Sequence, residues 1–505
     1  MRKKTSFLLV VFLLLFQIGR GNNVSITNVT VPDNLHIQFD IAWDNSWYIS
    51  GSNWDAVWIF IKAQDCAGTT TWDHRNLSVT PADHTVSGGT GLFVEVAATD
   101  GKGVFVRRNS NGTGTQTGTI NIRFSAAVPA FATTNFHVFG IEMVWVPQAS
   151  FTAGDGSTLS TQSAASFGSN NSTPRPVVSE ALMAQDWLRN DKAGDGAITA
   201  HPQIPATFPK GYDAFYCMKY EISQQQYVAF LNDLTLSQQG NRTAQPPTAA
   251  AGTLAMTSAG NQNRNSIVIK TSSAAGVPAV YDNDLNGDAT YGDGANIACN
   301  YLSWDDLISY LDWSALRPMS ELEFEKASRG ITGSLLTEFP WGNTTILQAI
   351  STALTNGGAI NEVSTASGNG LCAYGAGAST TIGPLRCGFA ATASTVRTTA
   401  GGSYYGIMDL GGNVWEQTVN AGYYTNPRQP SGGFLFTGSL GDGTIDGFGN
   451  CTDATWGTST YAVVRGGNWE YALKMVQVSD RSYINSVAEN AGRTRRTGGR
   501  GIRKP

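Results

Sequence analysis

The sequence predicts an α+β protein in two parts: an antiparallel β-sandwich, then a loop-rich domain with a few helices. Short runs of alternating apolar and polar residues, rich in β-branched and aromatic side chains, fill residues 24–143, whereas helical spacing appears only later. Glycine supplies 57 of the 505 residues and charged residues only 14%, which favours sheets and loops over long helices. A chain of this length is also long for a single core.

The sandwich is predicted over residues 22–141. Six or seven strand-like runs, such as V-S-I-T-N-V-T-V and A-V-W-I-F-I-K, are separated by Asn, Gly, Asp and Ser turns, a pattern typical of immunoglobulin or fibronectin type sandwiches. Five tryptophans lie in this region: Trp43, Trp47, Trp54, Trp58 and Trp72. A surface cluster would indicate sugar binding, but buried tryptophans are commoner in sandwiches, so we expect them in the core.

The N-terminus has the pattern of an export signal. Basic residues in M-R-K-K-T-S precede an apolar run from Phe7 to Phe16, so residues 1–21 are predicted to be a signal peptide cleaved after about Gly21. The run is too short for a membrane span, and no cysteine follows it to carry a lipid. We therefore expect an exported protein with no membrane span after cleavage. The net charge is −5 and basic residues cluster only near Arg493 to Arg503, which argues against nucleic-acid binding.

The second domain is predicted over residues 142–505, entered through a hinge at F-H-V-F-G-I-E-M-V-W-V-P. Ser150 to Pro176 is rich in Ser, Thr, Gly and Asn, which predicts an exposed loop. Residues 235–275 are again polar and low in complexity. We interpret them as part of an insertion at about 235–300, outside the core.

Helical spacing of apolar residues predicts three helices in this domain. They cover Ser223 to Leu234, Ser303 to Leu311 and Ser320 to Arg329. Ser223 is a plausible N-cap, and Ser320 with Glu323 forms a capping box. The acidic residues of the third helix alternate over different faces, and we expect them in solvent: Glu321, Glu323 and Glu325.

An acidic loop, D-N-D-L-N-G-D-A-T-Y-G-D, begins at Asp282 and ends at Asp293. Its oxygen-bearing residues have nearly the spacing of an EF-hand calcium loop, with Asp where a bidentate Glu usually closes the shell. The candidate metal ligands are Asp282, Asp284, Asn286, Asp288 and Asp293. Flanking helices are not evident, so an acidic hairpin turn is the alternative.

A second candidate site lies in G-I-M-D-L-G-G-N-V-W-E-Q, from Gly406 to Gln417. Asp409 and Glu416 are seven residues apart, and the glycines between them let the chain fold back. Their side chains could supply oxygen ligands to calcium, with carbonyls completing the shell. The alternative is a glycine turn that leads into a buried strand.

This stretch resembles the G-L-Y-N-x-x-G-N-x-W-E-W signature of the formylglycine-generating enzyme, or sulfatase-modifying factor, family. Further similar segments follow in the family's order: M-V-W-V-P-Q-A-S-F, Y-E-I-S-Q-Q-Q-Y-V-A-F, L-R-P-M-S-E-L-E-F-E-K-A, F-P-W-G-N, V-V-R-G-G-N-W and R-G-I-R. The resemblance covers roughly residues 140–505. It implies a compact, loop-rich core of the C-type-lectin-like kind.

The resemblance also implies calcium ligands and a catalytic pair. The family's calcium site maps onto the side chains of Asp409 and Glu416 and the carbonyls of Gly412 and Val414. Asn361 would retain part of a second calcium site, whose aspartate partner is replaced near Cys387. Calcium is thus the expected, structural metal.

The family's oxidase reaction needs two closely spaced cysteines that hold copper. The corresponding positions here fall at about Tyr471 and Val476, and no cysteine follows Cys451. Of the six cysteines, Cys372 and Cys387 are the favoured disulfide pair because a short loop joins them.

The sequence also lacks the residues needed for two other kinds of catalysis. The five histidines, none beyond residue 201, give no iron site or hydrolase triad. Neither copper nor iron is therefore expected.

These observations predict an exported, calcium-stabilised, non-catalytic binding or structural module at the cell surface, with a protein or glycan partner. The alternative is an oxidoreductase of the same family, either formylglycine-forming or dependent on non-haem iron. Carbohydrate binding by aromatics at Gly422 to Tyr424 or at Trp456 is a further possibility, although packing of these rings in loops is the more ordinary arrangement.

Overall fold

A computed structural model describes residues 24–65, 71–89, 91–96, 100–156, 167, 173–183, 203–257, 262–392, 394–421, 435–483 and 486–505. The predicted signal peptide, Cys66 and Gly422 to Tyr424 lie outside the described residues. The described residues form mostly sheet with few helices, as the α+β prediction requires. No helix within them is both long and apolar enough to cross a bilayer.

The N-terminal part is a β-sandwich, as predicted. Its strands are β1 Ser25–Asp33, β2 His36–Ile49, β3 Asn53–Asp65, β4 Asp73–His74, β5 Thr85–Ser87, β6 Leu92–Val96, β7 Val104–Arg108, β8 Gly112–Arg123 and β9 Thr134–Val146. Strands β1, β5 and β8 join β2 in one layer, while β4, β6, β7 and β9 join β3 in the other. All these pairings are antiparallel.

The C-terminal part consists of short strands and helices joined by long loops. Its strands are β10 Phe151–Ala153, β11 Arg175–Val177, β12 Phe215–Met218, β13 Ile267–Thr271, β14 Val280–Asn283, β15 Arg317–Pro318, β16 Leu347–Ala349, β17 Leu354–Thr355, β18 Val363–Ser364, β19 Leu371–Ala373, β20 Trp415–Val419, β21 Ala462–Arg465, β22 Thr497–Gly498 and β23 Gly501–Arg503. Its helices are α1 Gln224–Asn232, α2 Leu236–Arg242, α3 Trp304–Trp313, α4 Glu321–Arg329 and α5 Val487–Ala491.

One sheet joins the two parts through β9. This strand pairs with β3 along its length and with β12 at Met143 to Val146. The sheet then continues through β23 to β15. The segment predicted to be a hinge is therefore a central strand, and the predicted boundary at 141/142 falls inside it.

Strand β3 is buried on both faces because it separates two cores. Val57, Ile59 and Ile61 point into the sandwich core with Phe39 of β2. The alternate residues Ala56, Trp58 and Phe60 point into a second core shared with the C-terminal part. Burial of each such large side chain contributes roughly 1.5–3 kcal/mol. This two-sided burial explains why A-V-W-I-F-I is a continuous apolar run.

The predicted sandwich tryptophans divide between core and partly buried positions. Trp43 and Trp58 are fully buried, and Trp43 donates through Nε1 to Asp55. Trp47, Trp54 and Trp72 are partly buried.

The three predicted helices are present, with the expected caps. Ser223 Oγ accepts the amide of Gln226, and Ser320 Oγ accepts the amide of Glu323 at 3.1 Å. The segment interpreted as an insertion also contains regular structure, since α2 and β13 lie within it. Met256 and Ile267 are fully buried there, so this segment belongs in part to the core.

The predicted exposed loop from Ser150 to Pro176 is anchored at both ends. Strand β10 pairs with β11, and Phe167 between them is buried.

The prediction that the acidic residues of α4 face solvent is wrong. Glu321, Glu323 and Glu325 are at most 2% exposed. Arg465 bridges two of them, lying 3.1 Å from Glu321 and 2.7 Å from Glu325. Glu323 pairs with Arg317 at 2.7 Å. Carboxyl groups can be buried on several faces of one helix only because arginines from other segments reach each of them.

Candidate metal centre

The loop that leads into β20 is held by a left-handed turn. Asp409, Gly412 and Asn413 have φ angles of 57°, 81° and 60°. The Gly412 amide donates to the carbonyl of Gly466 at 2.8 Å. A Cβ at Gly412 would lie 2.4 Å from both the Ala373 carbonyl oxygen and Cys372 Sγ, so only glycine fits this close approach.

Asn413 holds the buried carboxylate of Glu221 in place. Glu221 was not among the site residues predicted from the sequence. The Asn413 side-chain amide donates to Glu221 at 2.6 Å, and its side-chain oxygen accepts the Leu385 amide at 2.8 Å. The Val414 amide donates to the other oxygen of Glu221 at 3.0 Å. The sequence signal for Glu221 was its place in Y-E-I-S, one of the segments that carry the family resemblance.

Asp409 and Glu416 are also buried, at 6% and 1% exposure. Asp409 Oδ2 accepts the Gly388 amide at 2.5 Å. Glu416 Oε1 accepts Nε of Arg500 at 2.6 Å, while Oε2 has no hydrogen-bond partner.

Three carboxyl groups thus share one buried region in which Arg500 forms an ion pair only with Glu416. Burial raises the pKa of Asp409 and of Glu416, whereas Arg500 acts in the opposite direction. Burial, followed by the charges of Asp409 and Glu416, raises the pKa of Glu221 well above its usual value. The region therefore holds more carboxyl groups than ion-paired cations.

The groups in this region are partly suited to binding a hard cation such as calcium. The predicted ligand set has two carboxylates, Asp409 and Glu416, and the carbonyls of Gly412 and Val414. The free Oε2 of Glu416 and the excess of buried carboxyl groups favour a cation, but Arg500 already holds Oε1. Across the described ranges no three His, Cys, Asp or Glu side chains converge as metal ligands. A site here would therefore rely on carbonyl oxygens.

The residue proposed for the second calcium site lies on the surface. Asn361 is exposed in a turn, while the neighbouring Glu362 is fully buried. Glu362 forms an ion pair with Arg264 and accepts the Arg386 amide at 2.8 Å. The buried carboxylate oxygens of Glu362 therefore already have arginine and backbone partners.

The acidic loop from Asp282 to Asp293 directs most of its oxygens to its own amides. Asp284, 4% exposed, accepts the amides of Gly287 and Ala289. Asp293 accepts the Leu285 amide at 2.9 Å.

The remaining candidates of this loop follow the same pattern or form an ion pair. Asn286 accepts the Asp288 amide, and Asp288 accepts the Thr290 amide. Asp282 lies in β14 and pairs with Lys270 at 2.8 Å. These contacts are sufficient to stabilise an acidic turn. Calcium binding by this loop remains a prediction.

Burial raises the pKa of every thiol in the described part of the chain. Cys372 has a free thiol whose Sγ donates to the Gly411 carbonyl, so the predicted disulfide with Cys387 is wrong. Cys387 Sγ lies 3.5 Å from the Glu221 carbonyl oxygen. Burial raises the pKa of Cys217 to about 12, and it raises the pKa of Cys299 and Cys372 well above the usual value.

The family resemblance places the reactive cysteines at about Tyr471 and Val476, and both of these side chains pack against neighbours. Val476 is fully buried. Tyr471 packs against Tyr483 with ring centroids 5.1 Å apart, and its ring lies 4.9 Å from the guanidinium of Arg496. Trp456, the other carbohydrate candidate, is buried and donates through Nε1 to the Ser439 carbonyl at 3.1 Å.

The fold and this region define a sheet-rich α+β protein with a buried acidic cluster at the start of β20. Comparison with known families is more specific. A family model described as "Sulfatase-modifying factor enzyme 1-like domain" matches residues 186–503, more than half of the chain. The chain belongs to the sulfatase-modifying factor family, as the sequence motifs indicated.

Comparison with individual proteins adds little. No curated protein matches the sequence. Among solved structures, Treponema denticola variable protein 1 is 12% identical with a TM-score of 0.30, and the match covers 72% of this chain and 96% of that chain.

A second solved structure is titled "pH-induced modulation of Streptococcus parasanguinis adhesion by Fap1 fimbriae". It is 12% identical with a TM-score of 0.12, and the match covers 31% of this chain and 76% of that chain. Neither likeness supports a structural conclusion at these scores.

Proposed function

We propose that this protein is an exported, calcium-stabilised and non-catalytic member of its family that serves as a binding or structural module at the cell surface. Its C-terminal part would have the C-type-lectin-like core that the family resemblance implies. Its partner would be a protein or a glycan outside the cell.

The proposal that the protein is non-catalytic depends on the chemical environment of its cysteine thiols. A thiolate pair is needed to hold Cu(I) and to attack a substrate cysteine. Here Tyr471 and Val476 occupy the expected positions, and burial keeps the thiols of Cys217, Cys299 and Cys372 protonated. The oxidoreductase alternative would need thiols in a different environment.

The buried acidic cluster supports a structural role for calcium. Burial is the main cause of the raised pKa of Glu221, and repulsion by Asp409 and Glu416 adds to it. A divalent cation that neutralised Asp409 and Glu416 would remove this repulsion. Bound calcium stabilises the folded state by mass action, by about 2.7 kcal/mol at a hundredfold excess over Kd.

Metal analysis and thermal unfolding of the purified protein test this proposal. We expect bound calcium without copper or iron, and a lower Tm after chelation. Asp409→Asn should abolish the calcium dependence of Tm, whereas Asp73→Asn, at an exposed position, should retain it. Asp284→Asn tests whether calcium binds to the acidic loop instead of the buried cluster. This substitution would abolish calcium binding only at the loop.

Stoichiometric copper together with oxidation of a peptide cysteine would refute the non-catalytic assignment. A Tm unchanged by calcium and by chelator would refute the role of calcium.

A further inference from the structure

The turn between β17 and β18 contains an unprotected Asn-Gly pair, Asn356-Gly357. The carbonyl of Asn356 accepts the amide of Ala359 at 3.0 Å, and Gly358 has a left-handed φ of 83°. Only the amide of the fourth residue closes such a turn, so the amides of the two central residues point elsewhere. The Gly358 amide donates to Glu362 at 2.6 Å, but within the described part of the chain the Gly357 amide has no partner.

Both groups of this pair that could react with each other are open to solvent. Asn356 and Gly357 are exposed, and the Asn356 side chain has no hydrogen-bond partner among the described residues. Glycine has no side chain, so nothing on Gly357 hinders the approach of its nitrogen to the Asn356 side chain. A Cβ at Gly357 would meet no atom within 4 Å, so the surrounding chain also leaves space around this residue.

The sequence has three other Asn-Gly pairs, and each is restrained by hydrogen bonds. In the acidic loop, the Gly287 amide donates to Asp284 at 2.8 Å. The side-chain oxygen of the preceding Asn286 accepts the Asp288 amide at 3.0 Å. Both halves of this pair are therefore held.

The remaining two pairs are each held by one such bond. The Gly370 amide, which follows Asn369, donates to the Thr398 carbonyl at 2.7 Å. The side-chain oxygen of Asn111 accepts the Ser50 amide at 2.7 Å. These bonds restrain either the attacking amide or the carbonyl that it would attack. The structure thus distinguishes Asn356 from three pairs with the same two residues.

The free amide of Gly357 can attack the side-chain carbonyl of Asn356. A bond forms between the Gly357 nitrogen and Asn356 Cγ, the Cγ–Nδ2 bond breaks, and ammonia leaves with the amide proton. Water then opens the resulting succinimide ring at either of its carbonyls, which gives aspartate or isoaspartate. The reaction needs only water, and it adds one negative charge. In isoaspartate the main chain runs through Cβ and Cγ, which lengthens the backbone by one carbon atom.

The length of the backbone matters here because Gly358 contacts the acidic loop. The Gly358 carbonyl accepts the amide of Gly294 at 2.8 Å, and Gly294 directly follows Asp293, the last residue of that loop. A Cβ at Gly358 would lie 2.8 Å from the Leu285 side chain, so the turn and the loop are also closely packed. An extra backbone carbon at residue 356 would displace the Gly358 carbonyl from Gly294.

We propose that Asn356 deamidates spontaneously and that its isoaspartate form releases the β17–β18 turn from the acidic loop. The modification requires no enzyme, so its extent increases with the age of each protein molecule. It acts on a loop that is a candidate calcium site, but it does not depend on calcium being bound there.

Peptide mapping of the full chain after prolonged incubation at neutral pH tests the position of the site. Cleavage after Glu338 and Glu362 isolates residues 339–362, and fragmentation distinguishes asparagine, aspartate and isoaspartate at residue 356. We expect Asn356 to deamidate about tenfold faster than Asn286, because the Asn286 pair must first break its hydrogen bonds. In urea, where these bonds are absent, the two sites should react at similar rates.

Two variants separate the chemistry from its structural effect. Gly357→Ala fits the fold, because its Cβ has no neighbour within 4 Å, but its methyl group should slow ring closure. Asn356→Asp adds the charge without lengthening the backbone. Amide hydrogen exchange at Gly294 should be faster in the isoaspartate form, isolated by ion exchange, than in Asn356→Asp or in the unmodified protein.

The site assignment is overturned if Asn356 does not deamidate, or if Asn286 or Asn369 reacts as fast in the folded protein. An unchanged rate in Gly357→Ala would exclude attack by the Gly357 amide. Equal exchange at Gly294 in the isoaspartate and unmodified forms would show that the turn still contacts the loop, and it would overturn the structural half of the proposal.

Discussion

Replacement of Gly412 by alanine tests how closely the β20 loop approaches its neighbours. The added Cβ would lie 2.4 Å from the Ala373 carbonyl oxygen, which accepts the Asn413 amide at 2.9 Å. Because this contact is with backbone, the loop must move. The left-handed φ of 81° costs an L-residue about 1–2 kcal/mol, and overpacking adds about 1–3 kcal/mol. We expect a loss of about 2–5 kcal/mol.

Gly252→Ala is the matched control. Gly252 has a φ of 84°, but a Cβ at this position would have no neighbouring atom within 4 Å, so alanine there carries only the backbone cost. Urea unfolding of both variants gives the two losses of stability. The difference between them measures the crowding at Gly412. The reasoning is refuted if Gly412→Ala is no less stable than Gly252→Ala.

Two further predictions concern buried charges. Glu321→Gln leaves Arg465 and Arg481 short of a counter-charge and should cost about 3–5 kcal/mol in urea unfolding. Asp73→Asn, at an exposed position, should leave the midpoint unchanged, and equal midpoints for the two variants would contradict the role of the ion pairs. Burial lowers the pKa of Lys62 from 10.5 to about 7, so the native state binds fewer protons than the unfolded state between these values and stability should rise with pH from 7 to about 10. Lys62→Met should flatten this rise in urea midpoints, and an unchanged slope would exclude Lys62 as its source.

Local features of the fold were predictable from sequence. A cap involves residues three apart, so Ser223 and Ser320 could be placed without knowledge of the tertiary structure. The sandwich strands were equally visible, because alternation is a property of each strand alone. Asp409 and Glu416 could also be identified together as candidate ligands, because they lie only seven residues apart in the sequence.

Features that depend on distant segments were missed. Glu321 was predicted to lie at the surface because its partner Arg465 is 144 residues further along the chain. The strand β9 was predicted to be a hinge because its partner strand β12 begins about 70 residues further along the chain. At the candidate metal centre, Glu221 and Arg500 reach the cluster from opposite ends of the C-terminal part, and no local pattern indicates that they meet.

The shared strand β9 makes the sandwich and the C-terminal part mutually dependent. Removing residues before 142 would strip β9 of most of its length and remove its partner β3. The remaining β9 residues, Met143 to Val146, would then have a hydrogen-bonding edge open to other chains. This truncation would also uncover the apolar side chains that Trp58 and Phe60 now cover. The C-terminal part alone should therefore aggregate, and the two predicted domains should be inherited, expressed and unfolded as one unit.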